Sequence, residues 1–162
     1  MSFSDSDLFN NSIIDEQVNI TPTDLNKNLD NVIIQKLKDK LEGYCTQFGY
    51  IEEVISIVDR ENNPKINDNG NGDCVIKVKI NVRRCLPKKD QIIECKITAD
   101  DEHMGVFISY EEPIFISIIN TTEDELHKGD IIMVRIEDFQ LKHRDSIINI
   151  TSSYVEKKEL KD

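Results

Sequence analysis

The fold is decided at Leu41 to Ile51, which reads LEGYCTQFGYI. Before this segment the apolar residues recur at helical spacing, and after it the β-branched run from Tyr50 to Val58 is typical of a strand. Gly43 fits the C-terminal end of the helix, because glycine tolerates the left-handed conformation in which helices commonly end. The segment therefore predicts a helix that passes directly into a strand, as in an α+β domain.

An amphipathic helix is predicted upstream of this segment. Thr21 can cap its start, Pro22 suits the first helical position, and Asp24 complements the helix dipole. The helix has an apolar stripe formed by Leu25, Leu29, Val32, Ile33, Leu37 and Leu41. The stripe favours packing against a sheet, and a partner-binding face is the alternative. Residues 1–12 are rich in Ser, Asp and Asn and are predicted to be a disordered N-terminal segment, so the first domain is expected to span residues 13–86.

The clearest strand runs from Cys74 to Arg84, where apolar residues alternate with mostly basic ones. The basic face, Lys77, Lys79, Asn81 and Arg83, is either solvated or a docking patch. Between this strand and the preceding one, Arg60 to Asp73 contains one proline, two glycines and five asparagines, which predicts a long exposed loop. Loops of this length without secondary structure are often functional.

A second domain is predicted after the joint at Pro87. Its five strand-like segments are Ile92 to Ala99, Gly105 to Tyr110, Pro113 to Ile119, Asp130 to Asp138 and Asp145 to Ser152. Thr122 to Glu125 reads TEDE, a capping-box pattern that predicts a short helix after the third strand. Five strands with a helix in this place is the arrangement of an OB-fold barrel. The barrel is expected over residues 87–155, followed by a charged C-terminal tail at 156–162.

Metal sites and catalysis are not indicated by the sequence. Cys45, Cys74, Cys85 and Cys95 stand singly without a C-x-x-C pair, which favours buried thiols in a reducing compartment over a zinc site. The three histidines lie at no ligand spacing, and no phosphate loop or nucleophile motif is present. We therefore expect no cofactor and no enzymatic activity. With no long apolar run and an acidic start, we expect a soluble intracellular protein.

Charge restricts nucleic-acid binding. The 162 residues carry a formal net charge of −11, and residues 86–162 hold 17 acidic against 10 basic side chains. An acidic surface repels phosphate backbones, so RNA binding needs a local exception. The predicted loop after the fourth strand, Phe139 to Arg144, is basic and carries an aromatic residue, whereas the loop after the first strand, Asp100 to His103, is acidic. RNA contact is therefore expected to be weak and centred on the basic loop.

In this order, the segments resemble the stalk subunit of multisubunit RNA polymerases, the family of the seventh subunit of eukaryotic RNA polymerase II and its archaeal counterpart. The resemblance covers roughly Val18 to Val155. It is carried by LEGYCT (41–46), FGYI (48–51), the Gly-rich loop Pro64 to Gly72, the strand Cys74 to Val82, Pro87, GVFIS (105–109) and KGDII (128–132). The resemblance implies an α+β protein: a small RNP-like tip domain, with a helix packed on an antiparallel sheet, then a five-stranded OB-fold β-barrel.

The resemblance also implies a function. A stalk subunit is non-catalytic, docks on the core enzyme through its tip domain, and assists transcription initiation and the handling of nascent RNA through its OB domain. Its partners would be core polymerase subunits, a second stalk subunit and, weakly, nascent RNA, with no membrane association. A freestanding OB-fold protein that binds single-stranded nucleic acid is the alternative.

The composition, rich in Ile, Asn, Lys and Asp and lacking Trp, suggests an AT-rich genome. A large DNA virus encoding its own polymerase would place the chain in the host cytoplasm and the virion. A cellular origin would place it in the nucleus.

Two sets of site residues follow. Glycines permit close backbone approach, and aromatic residues in a turn are either core residues or interface anchors. On the resemblance, core docking is assigned to Gly43, Tyr44, Phe48, Gly49, Tyr50, Pro64, Gly70 and Gly72. OB folds bind strands of nucleic acid over their second and third strands and adjoining loops. RNA binding is accordingly assigned to Phe107, Phe115, Phe139, Lys142 and Arg144. Alternation leaves open whether Phe107 and Phe115 are stacking platforms or core residues.

Overall fold

A computed structural model describes residues 8–26, 28–61, 65–66, 72–101 and 105–158. The chain divides into two compact units, one of Asn10–Cys85 and the other of Leu86–Asp162 together with Met1–Phe9. The described residues are mostly β-structure, with one α-helix and two sheets. None of the helices in these ranges has the length and apolar character needed to cross a membrane. This mostly-β architecture is compatible with the predicted α+β class and with an OB-like second half.

The first unit is one sheet with a helix packed on it. The strands stand in the order β1-β5-β3-β2, and a short β4 pairs with β5. Their bounds are β1 Phe9–Ile20, β2 Tyr44–Thr46, β3 Gly49–Arg60, β4 Lys65–Ile66 and β5 Cys74–Cys85, with a 3-10 helix at Pro22–Asn26 and α1 at Leu29–Leu41. The helix buries Ile33, Leu37 and Leu41 in one cluster with the alternating apolar residues of β5. The apolar stripe is thus a sheet-packing face, which is the first of the two alternatives that the sequence left open.

The α-helix begins later than the sequence predicts. Asn28 caps it, because its side-chain oxygen accepts the Asn31 N–H over 3.3 Å. Thr21 serves an earlier turn instead, where its N–H and hydroxyl donate to Asp24 Oδ2 over 3.0 and 2.8 Å. The predicted single helix starting at Thr21 is therefore wrong. Its first part is the separate 3-10 helix, closed by the Thr21–Asp24 bonds.

Both chain ends carry more structure than predicted. Residues 1–7 and 159–162 lie outside the described ranges, but β1 already begins at Phe9, inside the segment predicted to be disordered. Leu8 and Phe9 are buried. Burial of these two apolar side chains orders the start of β1, although the polar composition around them suggested disorder. At the other end the last strand continues to Lys157, two residues into the predicted tail.

The second unit contains a curled sheet. Its strands are β6 Ile92–Lys96, β7 Ala99–Asp101, β8 Val106–Glu111, β9 Ile114–Ile119, β10 Ile131–Gln140 and β11 Ile148–Lys157. They stand in the order β6-β10-β11-β9-β8-β7, with β9 and β11 parallel. The two ends of this order, β6 and β7, are separated in the chain by only Ile97 and Thr98, so the sheet curls back on itself.

The predicted first barrel strand is divided at Ile97 and Thr98 because these residues face different neighbours. The Ile97 N–H donates to the Asp130 carbonyl over 2.9 Å, next to β10, whereas the Thr98 N–H donates to the Ile108 carbonyl of β8 over 2.8 Å. The Thr98 hydroxyl also accepts the Tyr110 N–H over 3.0 Å. The chain therefore changes pairing partner within two residues.

The short helix predicted at Thr122 to Glu125 is not formed, although these residues are described. A capping box needs the Thr122 N–H for the glutamate, but Asn120 Oδ1 already accepts that N–H over 2.9 Å. The Tyr154 hydroxyl further fixes the segment by donating to Asp124 Oδ2 over 2.8 Å. Burial, helped by this bond, raises the pKa of Tyr154 to about 12.

Candidate functional site

The predicted docking segment, Gly43 to Tyr50, forms a turn and a tight hairpin. Gly43 has a φ of +84°, and its N–H donates to the Ile51 carbonyl over 2.9 Å. β2 and β3 then pair antiparallel, and the Thr46 hydroxyl closes the hairpin by donating to the Gly49 carbonyl over 3.0 Å. Gly49 has a φ of +116°, a conformation that glycine adopts without the strain of a side chain. The two glycines therefore make the hairpin possible.

The three aromatic residues of this hairpin have different surroundings. Phe48 is half-buried against the core of the first unit, and its carbonyl accepts Arg84 Nη1 over 2.8 Å. Tyr44 and Tyr50 are half-buried in neighbouring strands, opposite Ile51 and Cys45 respectively. Phe48 therefore contributes to packing, while the two tyrosines keep part of their surface available to a partner.

The loop assigned to core docking is described only in part. Pro64 and Gly70 lie outside the described residues. Gly72 is exposed with a φ of +80°, and a Cβ built there would lie 3.3 Å from Pro22 Cγ. Both the backbone conformation and this close approach favour glycine at position 72.

The basic face of β5 is neutralised by acidic residues on the adjoining strands. Lys79 lies opposite Asp59 of β3, and its Nζ is 4.0 Å from Asp15 Oδ1 of β1. Arg83 pairs through Nε with Glu52 Oε2 over 3.2 Å. This face is therefore charge-balanced, which favours a solvated face over a basic docking patch.

The register of β8 and β9 separates the two phenylalanines assigned to RNA binding. Phe107 lies opposite the buried Ile118, so it is on the inner face of the curled sheet. Phe115 lies opposite Tyr110 on the outer face, with ring centroids 6.1 Å apart and planes inclined by 56°. Tyr110 is 42% exposed and was not predicted as a site residue. The sequence signal for Tyr110 was the alternation of inward and outward side chains along β8, because its neighbour Ser109 is buried and Tyr110 therefore faces outward.

The outer face carries a row of four side chains at one level, one on each of four adjacent strands. Tyr110 of β8 lies opposite Phe115 of β9, Phe115 opposite Asn149 of β11, and Asn149 opposite Gln140 of β10. We call these four residues the outer-face row. Aromatic faces can stack on bases, and neutral amides can both donate to and accept from base edges. The row therefore has the chemistry of a site for unpaired nucleotides.

The predicted basic loop adjoins this row. Residues 141–147 connect Gln140 to Ile148, the first residue of β11, and present Lys142 and Arg144 to solvent. The Asp145 N–H donates to the Lys142 carbonyl over 2.9 Å, which closes the loop as a tight turn. The structure thus brings Phe115, Lys142 and Arg144 to one end of the outer face.

Two of the predicted RNA-binding residues lie elsewhere. Phe139 is opposite the buried Ile150 and, like Phe107, belongs to the inner side of the sheet.

The acidic turn Glu111–Glu112 adjoins Tyr110 and Phe115 at the other side of the row. The row is therefore bordered by negative charge near its aromatic residues and by positive charge near its amides.

The cysteines behave as core residues. All four are buried and none forms a disulfide, and burial raises the pKa of Cys85 and of Cys95 to about 12. These two thiols stay protonated and are poor ligands and nucleophiles at neutral pH. Within the described ranges, no cluster of three or more His, Cys, Asp or Glu side chains could hold a metal ion.

Comparison with known proteins gives one informative similarity. No family model matches the chain. The chain is 24% identical over 152 residues to a protein of Acanthamoeba polyphaga mimivirus that is provisionally named as a DNA-directed RNA polymerase subunit. The alignment covers 90% of this chain and 75% of the mimivirus protein. The similarity supports the predicted resemblance at the level of an RNA polymerase subunit. The name of that protein does not say which subunit it is.

Proposed function

We propose that this chain is a non-catalytic subunit of a DNA-directed RNA polymerase, and specifically its stalk subunit. The observation that carries the proposal is the similarity to the mimivirus protein over 90% of the chain. The order of the two architectures supports the finer assignment, because a helix-on-sheet unit precedes a curled sheet. We take Asn10–Cys85 as the tip domain and Leu86 onward as the OB domain.

The strand order supports an OB barrel. If β6 and β7 are counted as one bent strand divided at Ile97 and Thr98, the sheet has five strands. This first strand then pairs with the fourth, β10, and through its second half with β8, the second. Five strands curled in this way fit the partly open Greek-key barrel of the OB fold.

Core docking is assigned to the hairpin from Gly43 to Tyr50. Its backbone is fixed by two glycines with positive φ and by the Thr46 hydroxyl. A rigid hairpin loses little conformational entropy on association, and tyrosines are favoured anchors in interfaces. We place Tyr44 and Tyr50 in contact with core subunits, and Phe48 in the packing of the first unit that supports the hairpin.

RNA contact is assigned to the outer-face row and the loop 141–147. Stacking contributes about 1–3 kcal/mol per base, and the two charges of Lys142 and Arg144 can each meet one phosphate. The 17 acidic side chains of residues 86–162 oppose this attraction. We propose that the isolated chain binds RNA weakly and that neighbouring subunits strengthen the contact with emerging transcript.

The mimivirus similarity also supports a viral origin. We propose that, in that case, the polymerase acts in the host cytoplasm and is packaged in the virion. A cell-encoded chain would act in the nucleus. In both cases we propose a role in transcription initiation and in handling nascent RNA, together with a second stalk subunit where one is encoded.

The test is purification of the tagged full-length chain from its native source. We expect the two largest polymerase subunits to co-purify with the tagged chain. The Tyr44→Ala variant should recover less of them. The Tyr110→Ala variant, which is changed in the other unit, should recover unchanged amounts. Recovery of the chain with RNA but without polymerase subunits would favour the freestanding OB-fold binder and overturn the proposal.

A further inference from the structure

The curled sheet of the second unit has a seam between β6 and β8. Within the described residues, β6 pairs with β10 alone, and β7 pairs with β8 only as far as Ile108. Residues 109–111 of β8 and 94–96 of β6 therefore border the same gap without a ladder between them. The Thr98 hydroxyl closes one end, because it donates to the Ile108 carbonyl over 3.2 Å and accepts the Tyr110 N–H over 3.0 Å.

A pocket of about 230 Å³ occupies this seam. Glu94, Lys96 and Tyr110 line it at the surface, and Cys95 and Ser109, which are 4% and 1% exposed, form its floor. We call it the seam pocket. Its volume is below the roughly 300–1,000 Å³ of sites for drug-sized ligands and well above the about 30 Å³ of one water molecule. The pocket therefore suits a single ring system, which is smaller than a whole nucleotide.

The floor of the seam pocket favours an uncharged ligand. Burial raises the pKa of the Cys95 thiol to about 12, so this group is neutral at physiological pH, as is the Ser109 hydroxyl. An ionised ligand group placed on this floor would lose its hydration without meeting an opposite charge. A phosphate is therefore disfavoured inside the pocket, and a neutral polar ring is favoured.

The charged side chains around the pocket narrow the choice of ring. Glu94 is already neutralised, because Lys158 Nζ donates to both of its carboxylate oxygens over 3.0 and 3.1 Å. In the part of the chain that the structure describes, no ion pair or hydrogen bond engages the side chains of Lys96 and Glu111. The Glu111 carboxylate repels phosphate and accepts hydrogen bonds. Cytosine, adenine and guanine offer it an exocyclic amino group, whereas uracil presents only carbonyl oxygens around its ring N–H.

Tyr110 joins the seam pocket to the outer-face row. Its residue lines the pocket on the β6 side, and its ring meets Phe115 of β9 with centroids 6.1 Å apart. A base in the pocket would thus lie next to a base stacked on the aromatic pair. Lys96, which is exposed, can meet the phosphate of the nucleotide whose base enters the pocket.

We infer that the seam pocket binds one unpaired RNA base that carries an exocyclic amino group, adjacent to the base stacked on Tyr110 and Phe115. The Glu111 carboxylate accepts the amino N–H, and the neutral floor of Cys95 and Ser109 receives the ring. The inference rests on the RNA contact proposed above and adds a base preference to it.

The test measures binding of labelled oligocytidine and oligouridine of equal length to the full-length chain by fluorescence anisotropy at low salt. These two pyrimidines differ in the group at ring position 4, which is an amine in cytosine and a carbonyl in uracil. Glu111→Leu removes the acceptor, and Glu111→Gln adds a donor that suits uracil. Glu112→Gln is the matched control, because it makes the same change in charge one residue away and does not line the pocket.

We expect oligocytidine to bind about 3- to 10-fold more tightly than oligouridine, the usual effect of one hydrogen bond. The ratio of the two affinities should fall to about one in Glu111→Leu and Glu111→Gln. In Glu112→Gln both RNAs should bind more tightly, because a negative charge is lost, and the ratio should not change.

Two kinds of failure are distinguishable. Equal binding of the two RNAs, tighter binding of oligouridine, or the same fall in the ratio in Glu112→Gln would overturn the inference and leave the proposed RNA contact intact. Absence of binding to either RNA, or binding that Tyr110→Ala leaves unchanged, would overturn the RNA contact itself and the inference with it.

Discussion

Removal of the aromatic pair on the outer face is the perturbation that tests the proposed RNA site most sharply. Tyr110 and Phe115 are cross-strand neighbours with centroids 6.1 Å apart, so one unstacked base can contact both rings. We consider Phe115→Ala, Tyr110→Ala and the double variant. Each removes a stacking surface and leaves the charge of the domain unchanged.

The expected magnitude follows from the contacts. Loss of stacking on one base costs about 1–3 kcal/mol, which corresponds to a reduction of roughly 5- to 150-fold in affinity. Because both rings serve the same base, the double variant should lose less than the sum of the two single losses. The cost to folding should be about 0.2–1 kcal/mol, the usual value of a cross-strand pair, because Tyr110 is exposed and Phe115 half-buried.

The assay is fluorescence anisotropy of a labelled single-stranded RNA with the full-length chain over a series of salt concentrations. The aromatic variants should lower affinity without changing the salt slope. The double variant Lys142→Gln with Arg144→Gln should reduce the slope by about 1.4, because each phosphate contact on a single strand contributes about 0.7. Phe107→Leu is the control on the inner face and should retain binding. Unchanged affinity in the Tyr110 and Phe115 variants would refute the assignment of the outer-face row.

Three further predictions concern stability. The Thr21 backbone N–H and hydroxyl, with Lys36, lower the pKa of Asp24 to about 2, so its contribution is present above the ordinary value of 3.8 and is lost as the pH falls toward 2. Thermal unfolding of Asp24→Asn should therefore depend less on pH over this range than that of the unsubstituted chain, and parallel curves would contradict the assignment. Tyr154→Phe should lower the free energy of unfolding in urea by about 1.5–3 kcal/mol, because it removes a hydrogen bond to the Asp124 carboxylate. The control Tyr110→Phe should change the free energy of unfolding little. Equal stabilities of the two variants would show that the Asp124 contact contributes nothing. Phe48→Ala should destabilise the first unit by roughly 1–3 kcal/mol, which is less than a fully buried Phe→Ala change costs, because Phe48 is only half-buried. It should destabilise the unit more than Tyr44→Ala does. A larger loss of stability in Tyr44→Ala, measured by urea unfolding, would assign Phe48 to the surface.

Local patterns in the sequence predicted the regular elements well. Alternation from Cys74 placed β5 to within one residue of its observed end at Cys85, because the period of two is a property of the strand itself. Helical spacing likewise identified the buried residues of α1. These signals need no knowledge of distant partners.

Features that depend on distant partners could not be predicted. The segment from Thr122 to Glu125 is fixed by Tyr154, which lies 30 residues from Asp124. The division of the predicted first barrel strand required a switch from β10 to β8 at Thr98.

The candidate site depended on distant partners in the same way. Only the pairing register shows that Phe107 faces inward and that Phe115 joins Tyr110 outside. The outer-face row also needs Asn149 and Gln140, which no motif identified.

Quantitative mass spectrometry of the native enzyme shows whether this chain is a polymerase stalk subunit. The polymerase would be purified through a tag on its largest catalytic subunit, and the amount of this chain would be measured relative to that subunit. We expect one copy of this chain per enzyme, with crosslinks from the Gly43–Tyr50 hairpin to core subunits. Absence of the chain from active polymerase, or its presence in trace amounts that high salt removes together with RNA, would show that it is not a stalk subunit.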